Sequence, residues 1–391
     1  MLGSRSASLL VGAIMTSVLS LAPGASAAWG IVLDMGSSGT RARIHSWEQT
    51  VAMTEFVPED SADKDALEIS PGLADVRPAD IDGYLRPLIA QVVRWIPAEA
   101  APATRIRAFA TAGMRTLDSP EQEAIWAAVR EVLADRDTSP FLFDPSDATT
   151  ISGNLEGLFG FLAVNFILEV ASAANPAEQL VGAMDLGGAS VELAFAPDGA
   201  APIMADAYRT VINERAIQVY SHSYMNAGQD VARSRLAEQL VRMYGMRDGP
   251  VENPCLSVGY LDNRTIEGVS VQFIGVGDYE RCLSLMSGLL HPDYECLQRP
   301  CAAMGVYQPT LPRGRHSLVA YSAFFYTVNG LGLLGWGEAS GVGEVEDITP
   351  ARIMDAGAAE LPPLRFYLMV LSLTLCAWAV RRSALLRTTV V

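Results

Sequence analysis

The pattern of apolar and polar residues first becomes regular where an apolar run stops at a carboxylate. Residues 31–35 read Ile-Val-Leu-Asp-Met, a Gly-Ser-Ser-Gly turn occupies 36–39, and residues 41–45 alternate between polar and apolar side chains. Short apolar runs separated by glycine and serine are typical of strands joined by a tight turn. The sequence therefore predicts a strand, a turn and a second strand over 31–45.

Further along the chain, both helical and strand periodicities occur. Apolar residues at helical spacing predict a helix over 79–96, which Pro97 ends, and residues 105–110 alternate as a strand. Pro120 begins a second helix through Leu133, a third is expected from about 151 to 170, and a fourth ends at Met243. Residues 318–334 are apolar and aromatic, a composition typical of a buried core.

The first turn has the composition of an anion-binding loop. Gly36 and Gly39 permit backbone angles that other residues resist, so consecutive N–H groups can point at one anion. Asp34, at the end of the strand, is placed to face a metal ion carried by that anion. An ordinary hairpin turn favours the same residue types. Three side-chain hydroxyls are available to the same anion, those of Ser37, Ser38 and Thr40.

A second copy of this pattern favours the anion-binding interpretation. Residues 181–195 repeat the strand, the Asp-x-Gly turn and the second strand, with Asp185 placed 151 residues after Asp34. Two such turns predict two related lobes that face each other across a cleft. A polyphosphate with a divalent cation would then be held from both sides, with one aspartate in each lobe.

Length, composition and charge narrow the class of protein. The 391 residues suit two lobes, and a chain that is 50% apolar and 18% charged is globular, not disordered. The formal net charge of −16 argues against nucleic acid as a partner, because binding to a phosphate backbone needs clustered lysine and arginine.

Both ends of the chain carry apolar segments. Residues 1–27 combine Arg5, an apolar run over 9–21 and Ala25-Ser26-Ala27, and predict a secretory signal peptide, with an uncleaved anchor as the alternative. Residues 364–382 contain an apolar run bracketed by arginines and predict a transmembrane helix, with a buried terminal helix as the alternative. We therefore expect passage through the secretory pathway, an extracytoplasmic main domain and a bilayer anchor.

The cysteines suit an oxidising compartment. Of five cysteines, Cys255, Cys282, Cys296 and Cys301 lie in the second half of the chain, and Cys376 lies in the apolar tail. Four cysteines permit three pairings, and we favour the sequence neighbours, Cys255 with Cys282 and Cys296 with Cys301. Metal ligation is the competing interpretation, but no histidine lies at zinc-ligand spacing beside them.

Glu156 is a candidate for chemistry because of its position. It lies in the first turn of the helix expected at 151–170, within an almost uncharged segment between the two glycine turns. A carboxylate in that place most often interacts with the helix dipole at the surface.

Four ordered stretches resemble the first four conserved regions of the ecto-nucleoside triphosphate diphosphohydrolases, the secreted and cell-surface apyrases. These stretches are 34–40, 108–115, 152–157 with Asn165, and 185–190. Residues 221–224 and 322–326 also resemble parts of that family, so that the similarity extends from about residue 30 to 330.

The resemblance implies an α/β fold of two RNase-H-like (actin-like) lobes with the active site in the cleft between them, followed here by the C-terminal apolar helix. The lobes would comprise 29–155 and 156–355. It also implies hydrolysis of the terminal phosphates of nucleoside tri- and diphosphates with Mg²⁺ or Ca²⁺, by direct attack of water. Such a reaction mainly requires in-line positioning and neutralisation of charge.

The resemblance assigns a role to each matched position. Glu156 would be the general base, Asp34 and Asp185 would hold the metal through water, Thr111 and Ser190 would position the attacking water, and Arg115 would support the site. The phosphates would be cradled by residues of both turns, namely Ser37, Ser38, Gly39, Thr40, Gly187, Gly188 and Ala189.

Two departures from the family pattern affect this expectation. Glu192 stands where many members have a glutamine that orients the water, and its charge would strengthen metal binding or weaken phosphate binding. Family members also continue for several tens of residues after the position of Tyr326, so part of the nucleobase site is expected to be missing. Tyr326 is our candidate for stacking on the base.

Two alternatives remain open on the same fold. One is an exopolyphosphatase or guanosine-polyphosphate phosphatase, whose motifs resemble residues 185–192. The other is a catalytically decayed protein that binds nucleotides. The presence together of Asp34, Glu156, Asp185 and Ser190 disfavours decay.

Overall fold

The computed structural model places two compact units, and it describes ten segments of the chain. These segments are 28–47, 53–56, 67–168, 180–197, 202–212, 215–245, 249–291, 294–310, 317–324 and 387–390. The units divide between Phe166 and Ile167, and we call them the N-terminal and the C-terminal unit. The predicted signal peptide, the predicted helix over 364–382 and Tyr326 lie outside the described residues.

The N-terminal unit is built on a mixed sheet. Its strands are β1 (Ala28–Met35), β2 (Thr40–Trp47), β3 (Met53–Phe56), β4 (Glu68–Ile69), β5 (Arg105–Ala110) and β6 (Ala148–Thr150). The order is β3-β2-β1-β5-β6, with β4 paired to β2. The central strand β1 runs antiparallel to β2 and parallel to β5. The predicted hairpin and the predicted strand over 105–110 are thus neighbours in one sheet.

The first three α-helices of this unit contribute buried apolar side chains to the core on this sheet. They are α1 (Ile81–Trp95), α2 (Ala112–Arg115) and α3 (Ser119–Ala134), and they are followed by α4 (Gly153–Ile167). Along α1, the helical spacing that appears in the sequence buries Ile81, Leu85 and Leu88 completely, and they join Ile31 and Leu33 of β1 in one core. Because α4 begins at Gly153, the lobe boundary expected between 155 and 156 falls within this helix, and Glu156 belongs to the N-terminal unit.

The C-terminal unit repeats the central arrangement of the first. Its strands are β7 (Gly182–Leu186), β8 (Ser190–Phe195), β9 (Ala207–Ile212), β10 (Arg215–Met225), β11 (Val251–Asn253), β12 (Leu261–Ile266), β13 (Val269–Gly275), β14 (Ser317–Ser322) and β15 (Arg387–Val390). One sheet has the order β15-β14-β7-β8-β10-β9 and another β11-β13-β12. Strand β7 runs antiparallel to β8 and parallel to β14, as β1 does to β2 and β5.

The core of the C-terminal unit lies between its sheets and two helices. These helices are α5 (Gln229–Tyr244) and α6 (Tyr279–Leu290). Leu236 and Leu240 of α5 and Phe273 of β13 are almost fully buried in this core. The fourth predicted helix is α5, and it ends one residue after the expected position.

Both predicted disulfides are confirmed. Cys255 is bonded to Cys282, which joins the segment after β11 to helix α6, and Cys296 is bonded to Cys301. The sulfurs of the first pair belong to fully buried residues, whereas the second pair is partly exposed. The first bridge therefore lies in the core, and the second closes a short surface loop.

The two bridges are expected to differ in their effect on stability. Replacing Cys255 and Cys282 together by alanine removes a crosslink over 27 residues, which we expect to lower the free energy of unfolding by about 3–4 kcal/mol. The matched pair Cys296→Ala/Cys301→Ala, with a separation of 5 residues, should cost about 2 kcal/mol. Urea denaturation of both variants measures the two losses in unfolding free energy. An equal or larger loss for the second pair would contradict this prediction.

Within the segments that the structure describes, we find no helix with the length and apolar character that crossing a bilayer requires.

Candidate active site

The first glycine turn connects β1 to β2 and is closed by one backbone hydrogen bond. The Gly36 N–H donates to the Gly39 carbonyl oxygen at 2.9 Å, and the flanking residues Met35 and Thr40 are register partners in the ladder. Ser37 is half-buried and Ser38 is exposed. The hydroxyl of Ser38 is therefore accessible to a ligand at this turn.

Asp34 lies one residue before the end of β1, opposite Arg41 on β2. Burial raises the pKa of the Asp34 carboxyl above its ordinary value, and the nearby guanidinium groups of Arg43 and Arg41 oppose that rise. Arg41 also forms an ion pair with Glu68 on β4, at 2.5 Å. The carboxylate of Asp34 is thus held in a poorly solvated place, where a cation would stabilise its charged form.

Thr40 has a buried hydroxyl with a partner that the sequence did not indicate. The Tyr84 hydroxyl lies 2.9 Å from Thr40 Oγ1 and 2.6 Å from the carbonyl oxygen of Pro71. A tyrosine hydroxyl carries one proton, so if it donates to Pro71 then Thr40 donates to Tyr84. In that arrangement the Thr40 hydroxyl donates to Tyr84 and not to an anion bound by the turn.

Two of the predicted site residues form an ion pair in the N-terminal unit. Arg115 ends the short helix α2 and donates from Nη2 to Oε2 of Glu156 in the first turn of α4, while its Nε donates to the Ile151 carbonyl oxygen at 2.9 Å. Their side chains are 13% and 11% exposed. Thr111, which precedes α2, is buried, and its N–H donates to the carbonyl oxygen of Met35 at 3.3 Å. The residues that follow β5 thus form hydrogen bonds both to Glu156 and to the end of β1.

The second glycine turn has the same closing bond as the first. The Gly187 N–H donates to the Ser190 carbonyl oxygen at 3.0 Å, and the flanking residues Leu186 and Val191 are register partners. The side chains of Ala189 and Ser190 are buried, whereas Gly187 and Gly188 are partly exposed. The likeness seen in the sequence therefore extends to the backbone.

The start of helix α5 and Asn226, three residues before it, orient the peptide groups of this second turn. The carbonyl oxygens of Gly187 and Gly188 accept from the N–H groups of Gln229 and Asp230 at 2.9 and 2.8 Å, and that of Ala189 accepts from Asn226 at 3.0 Å. In a planar trans peptide the N–H points opposite to the carbonyl. The three N–H groups that follow these carbonyls consequently point away from their partners, as an anion cradle requires. They belong to Gly188, Ala189 and Ser190.

Two carboxylates stand side by side in the C-terminal unit. Asp185 on β7 and Glu192 on β8 are register partners, and an oxygen of one lies within 4.8 Å of an oxygen of the other. Glu192 is 2% exposed, and the Ser223 hydroxyl on β10 donates to its Oε1 at 2.7 Å. Like charges this close are unfavourable unless a cation or a proton lies near them. Oxygen ligands are those that Mg²⁺ and Ca²⁺ prefer, so this donor set fits a divalent cation.

The polar stretch over 206–225 supplies partners that the sequence reasoning missed. It forms β9 and β10, and alternation along β10 places Ser223 toward Glu192 while His222 pairs through Nδ1 with Oδ2 of Asp206 at 2.7 Å. The resemblance at 221–224 was the available signal, but it carried no role for Ser223. The contact joins residues 31 apart, so it depends on the register of β8 and β10.

The fold and these turns define a class of protein. Each unit is a mixed-sheet α/β structure in which a strand with an aspartate near its end leads into a glycine turn, the arrangement of backbone donors and carboxylate that suits a phosphate ester with its metal ion. The chain belongs to the GDA1/CD39 (nucleoside phosphatase) family, whose family model matches residues 21–341.

Curated relatives agree with this membership. The chain is 30% identical to probable apyrase 5 of Arabidopsis thaliana over 78% of its own length, and 29% identical to ectonucleoside triphosphate diphosphohydrolase 2 of Homo sapiens over 77%. It is 27% identical to the Golgi apyrase of Saccharomyces cerevisiae over 78%. The aligned parts cover 64%, 63% and 54% of these proteins, so the chain spans less than two thirds of their length.

A solved structure shows the same fold. The nucleoside triphosphate hydrolase of Neospora caninum superposes with a TM-score of 0.60 at 15% identity, covering 93% of this chain and 88% of that one. At this identity the similarity concerns the fold alone.

Proposed function

We propose that this chain hydrolyses the terminal phosphates of nucleoside tri- and diphosphates by direct attack of water. The observation that carries the proposal is the pair of glycine turns with the same closing hydrogen bond, each preceded by an aspartate. Family membership and the names of the relatives, apyrases and triphosphate diphosphohydrolases, support the substrate class. The repeated strand order supports an RNase-H-like character for each unit.

The proposed roles follow from the chemistry of each group. Asp34 and Asp185 would hold Mg²⁺ or Ca²⁺ through water, and the bound ion would supply neutralisation of the charge on the phosphates. Glu156 accepts a proton from the attacking water, and Arg115 fixes the orientation of that carboxylate. Thr111 and Ser190 position the water. The phosphates are bound by backbone and hydroxyl donors of the two turns, those of Ser37, Ser38, Gly39, Gly188 and Ala189, while Thr40 and Gly187 lie at the ends of the turns and the Gly187 N–H is engaged in the closing bond to Ser190.

The charge of Glu192 should affect the binding of both the metal ion and the phosphates, and removing that charge tests this expectation. In the Glu192→Gln variant the amide oxygen keeps the hydrogen bond from Ser223, so the fold should be retained while one negative charge is removed. We expect the half-saturating Mg²⁺ concentration to rise and the KM for ATP to fall, each by about three- to tenfold, because metal binding loses a carboxylate and phosphate binding loses a repulsion. Steady-state titrations of both ligands measure the two effects. Unchanged values for both would show that Glu192 does not act on metal or phosphate.

The names of two relatives, a Golgi apyrase and an ectoenzyme, support a location outside the cytoplasm. We propose export through the secretory pathway by residues 1–27 and a bilayer anchor at 364–382. Expression in a secreting host, followed by carbonate extraction of membranes, tests the anchor. Full release of the chain by carbonate would contradict it.

The activity is tested by measuring phosphate release by the full chain. ATP, ADP and long-chain polyphosphate are each supplied with Mg²⁺ or Ca²⁺, and EDTA is the control. We expect both nucleotides to be hydrolysed and metal removal to stop the reaction. Release from polyphosphate alone would favour the exopolyphosphatase alternative, and a folded protein that binds ATP without hydrolysis would favour the decayed one.

A further inference from the structure

Each glycine turn packs against a further glycine, which lies outside the turn in another part of the same unit. In the N-terminal unit, a Cβ atom added to Gly72 would lie 2.1 Å from the carbonyl oxygen and 2.6 Å from the carbonyl carbon of Ser37. In the C-terminal unit, a Cβ atom on Gly228 would lie 2.4 Å from the backbone of Ala189 and of Ser190. Both overlaps are with backbone atoms of the turn itself, so a side-chain rotation cannot relieve them.

The need for glycine at these positions comes from close approach, not from backbone angles. Gly72 has φ −61° and ψ 151°, and Gly228 has φ −64° and ψ 157°, values that any residue adopts. Each directly precedes a helical segment, the short 3₁₀ helix Leu73–Asp75 in one unit and α5 in the other. Each unit thus places an extended glycine, followed by a helical segment, against the backbone of its turn, at Ser37 in one unit and at Ala189 and Ser190 in the other.

The close approach at Gly228 is tied to the orientation of the peptide groups. Because the backbone lies in contact with Ala189 at this point, the N–H groups of Gln229 and Asp230 reach the carbonyl oxygens of the turn at 2.9 and 2.8 Å. A methyl group between the two backbones would separate them and lengthen these bonds. The N–H groups on the opposite side of the same peptides, which are the proposed phosphate donors, would then change direction.

We infer that Gly72 and Gly228 are positioning residues of the proposed phosphatase, each fixing the donor geometry of one phosphate turn. This inference rests on the proposed function and adds to it two residues that contact no substrate in the proposal. A displacement of about 1 Å in groups that position a reacting phosphate is enough to reduce the rate by roughly 100-fold. Stability and activity should therefore respond differently to substitutions at these glycines and at glycines of equal crowding elsewhere.

The test compares Gly72→Ala and Gly228→Ala with two matched controls. A Cβ atom on Gly275, in β13, would lie 1.9 Å from the carbonyl oxygen of Ser257, a backbone overlap in a different sheet from the second turn. Gly288, in α6, has no atom within 4 Å of an added Cβ. Gly275→Ala thus controls for the cost of a backbone clash, and Gly288→Ala controls for the substitution itself.

We expect kcat for ATP to fall by roughly 100-fold in Gly72→Ala and in Gly228→Ala, with a smaller change in KM. Gly275→Ala should lower the thermal midpoint by as much but keep kcat within about threefold of wild type. Gly288→Ala should leave kcat unchanged and, because alanine favours a helix more than glycine does, should leave the thermal midpoint equal or slightly higher. Should Gly228→Ala fail to fold, Gly72→Ala in the other unit provides the same comparison.

The outcomes separate the inference from the proposed function. An active wild type whose Gly72→Ala and Gly228→Ala variants lose no more kcat than Gly275→Ala would overturn the inference and leave the function intact. A folded wild type that releases no phosphate from ATP or ADP would overturn both.

Discussion

Replacing Glu156 by glutamine should reduce kcat for ATP by about 1,000-fold while leaving the protein folded, because a positioned general base contributes about 10²- to 10⁴-fold to such a reaction. The amide oxygen of glutamine still accepts the hydrogen bond that Arg115 donates to Oε2, so the structural contact is preserved. What is lost is the basic oxygen that takes the proton from water. The KM for ATP should change little, since the base does not contact the phosphates in the proposed mechanism.

A matched variant controls for the loss of an ion-paired carboxylate. Glu123 of α3 pairs with Arg130 at 2.7 Å in the same unit, and Glu123→Gln removes that pair far along the chain from both turns. Its kcat should stay within about twofold of wild type, as surface ion pairs contribute little. The interpretation of Glu156 as the base fails if Glu156→Gln, shown to be folded by circular dichroism, retains more than about a tenth of the wild-type kcat.

Local patterns in the sequence predicted the elements on which the site is built. The hairpin over 31–45, the strand over 105–110 and the helix that carries Glu156 all occur, because each is determined by periodicity and turn residues within a short window. The pairing of neighbouring cysteines was also correct, since both bridges lie in a compact part of the chain. Proximity along the sequence was sufficient information in these cases.

Contacts between strands that are distant along the chain could not be predicted from the sequence. The segment over 206–225 was not predicted as strands, because β9 lies at the edge of its sheet and half of its residues are exposed. Because the sequence did not predict β10, it did not predict that Ser223 bonds to Glu192 or that Gly228 lies against Ala189. In the same way, the contact of Tyr84 with Thr40 depends on how α1 packs on β2, which the amphipathic pattern of α1 does not specify.

The second large effect is expected at the two aspartates that precede the turns. Asp34→Asn and Asp185→Asn should each lower kcat/KM at a fixed Mg²⁺ concentration by about 100- to 1,000-fold, because metal neutralisation of phosphate charge is worth several kcal/mol. Excess Mg²⁺ should restore part of the activity of each variant. Steady-state assays over a Mg²⁺ titration measure both quantities.

The double variant tests whether the two carboxylates serve one ion. Residues that act on the same ion are strongly non-additive, so Asp34→Asn/Asp185→Asn should lose little more than the more damaging single change. Two independent roles predict instead that the losses multiply, to about 10⁴- to 10⁶-fold. A multiplicative result would mean that each aspartate supports its own turn without a shared metal ion.

The thermal stability of Asp34→Asn is the control for a loss of activity in that variant. The expected direction of the stability change follows from the burial of Asp34. Burial raises the pKa of the Asp34 carboxyl in the folded protein above 3.8, its ordinary value, so ionising this carboxyl costs the folded state more free energy than it costs the unfolded state. This cost disappears as the pH falls below the raised pKa, and it disappears at all pH values in Asp34→Asn. In EDTA the variant should therefore melt at the same or a higher temperature than wild type, while its activity with Mg²⁺ is lost. A lower thermal midpoint would indicate that Asp34 stabilises the N-terminal unit, and that loss of activity in this variant reflects misfolding instead of loss of a metal ligand.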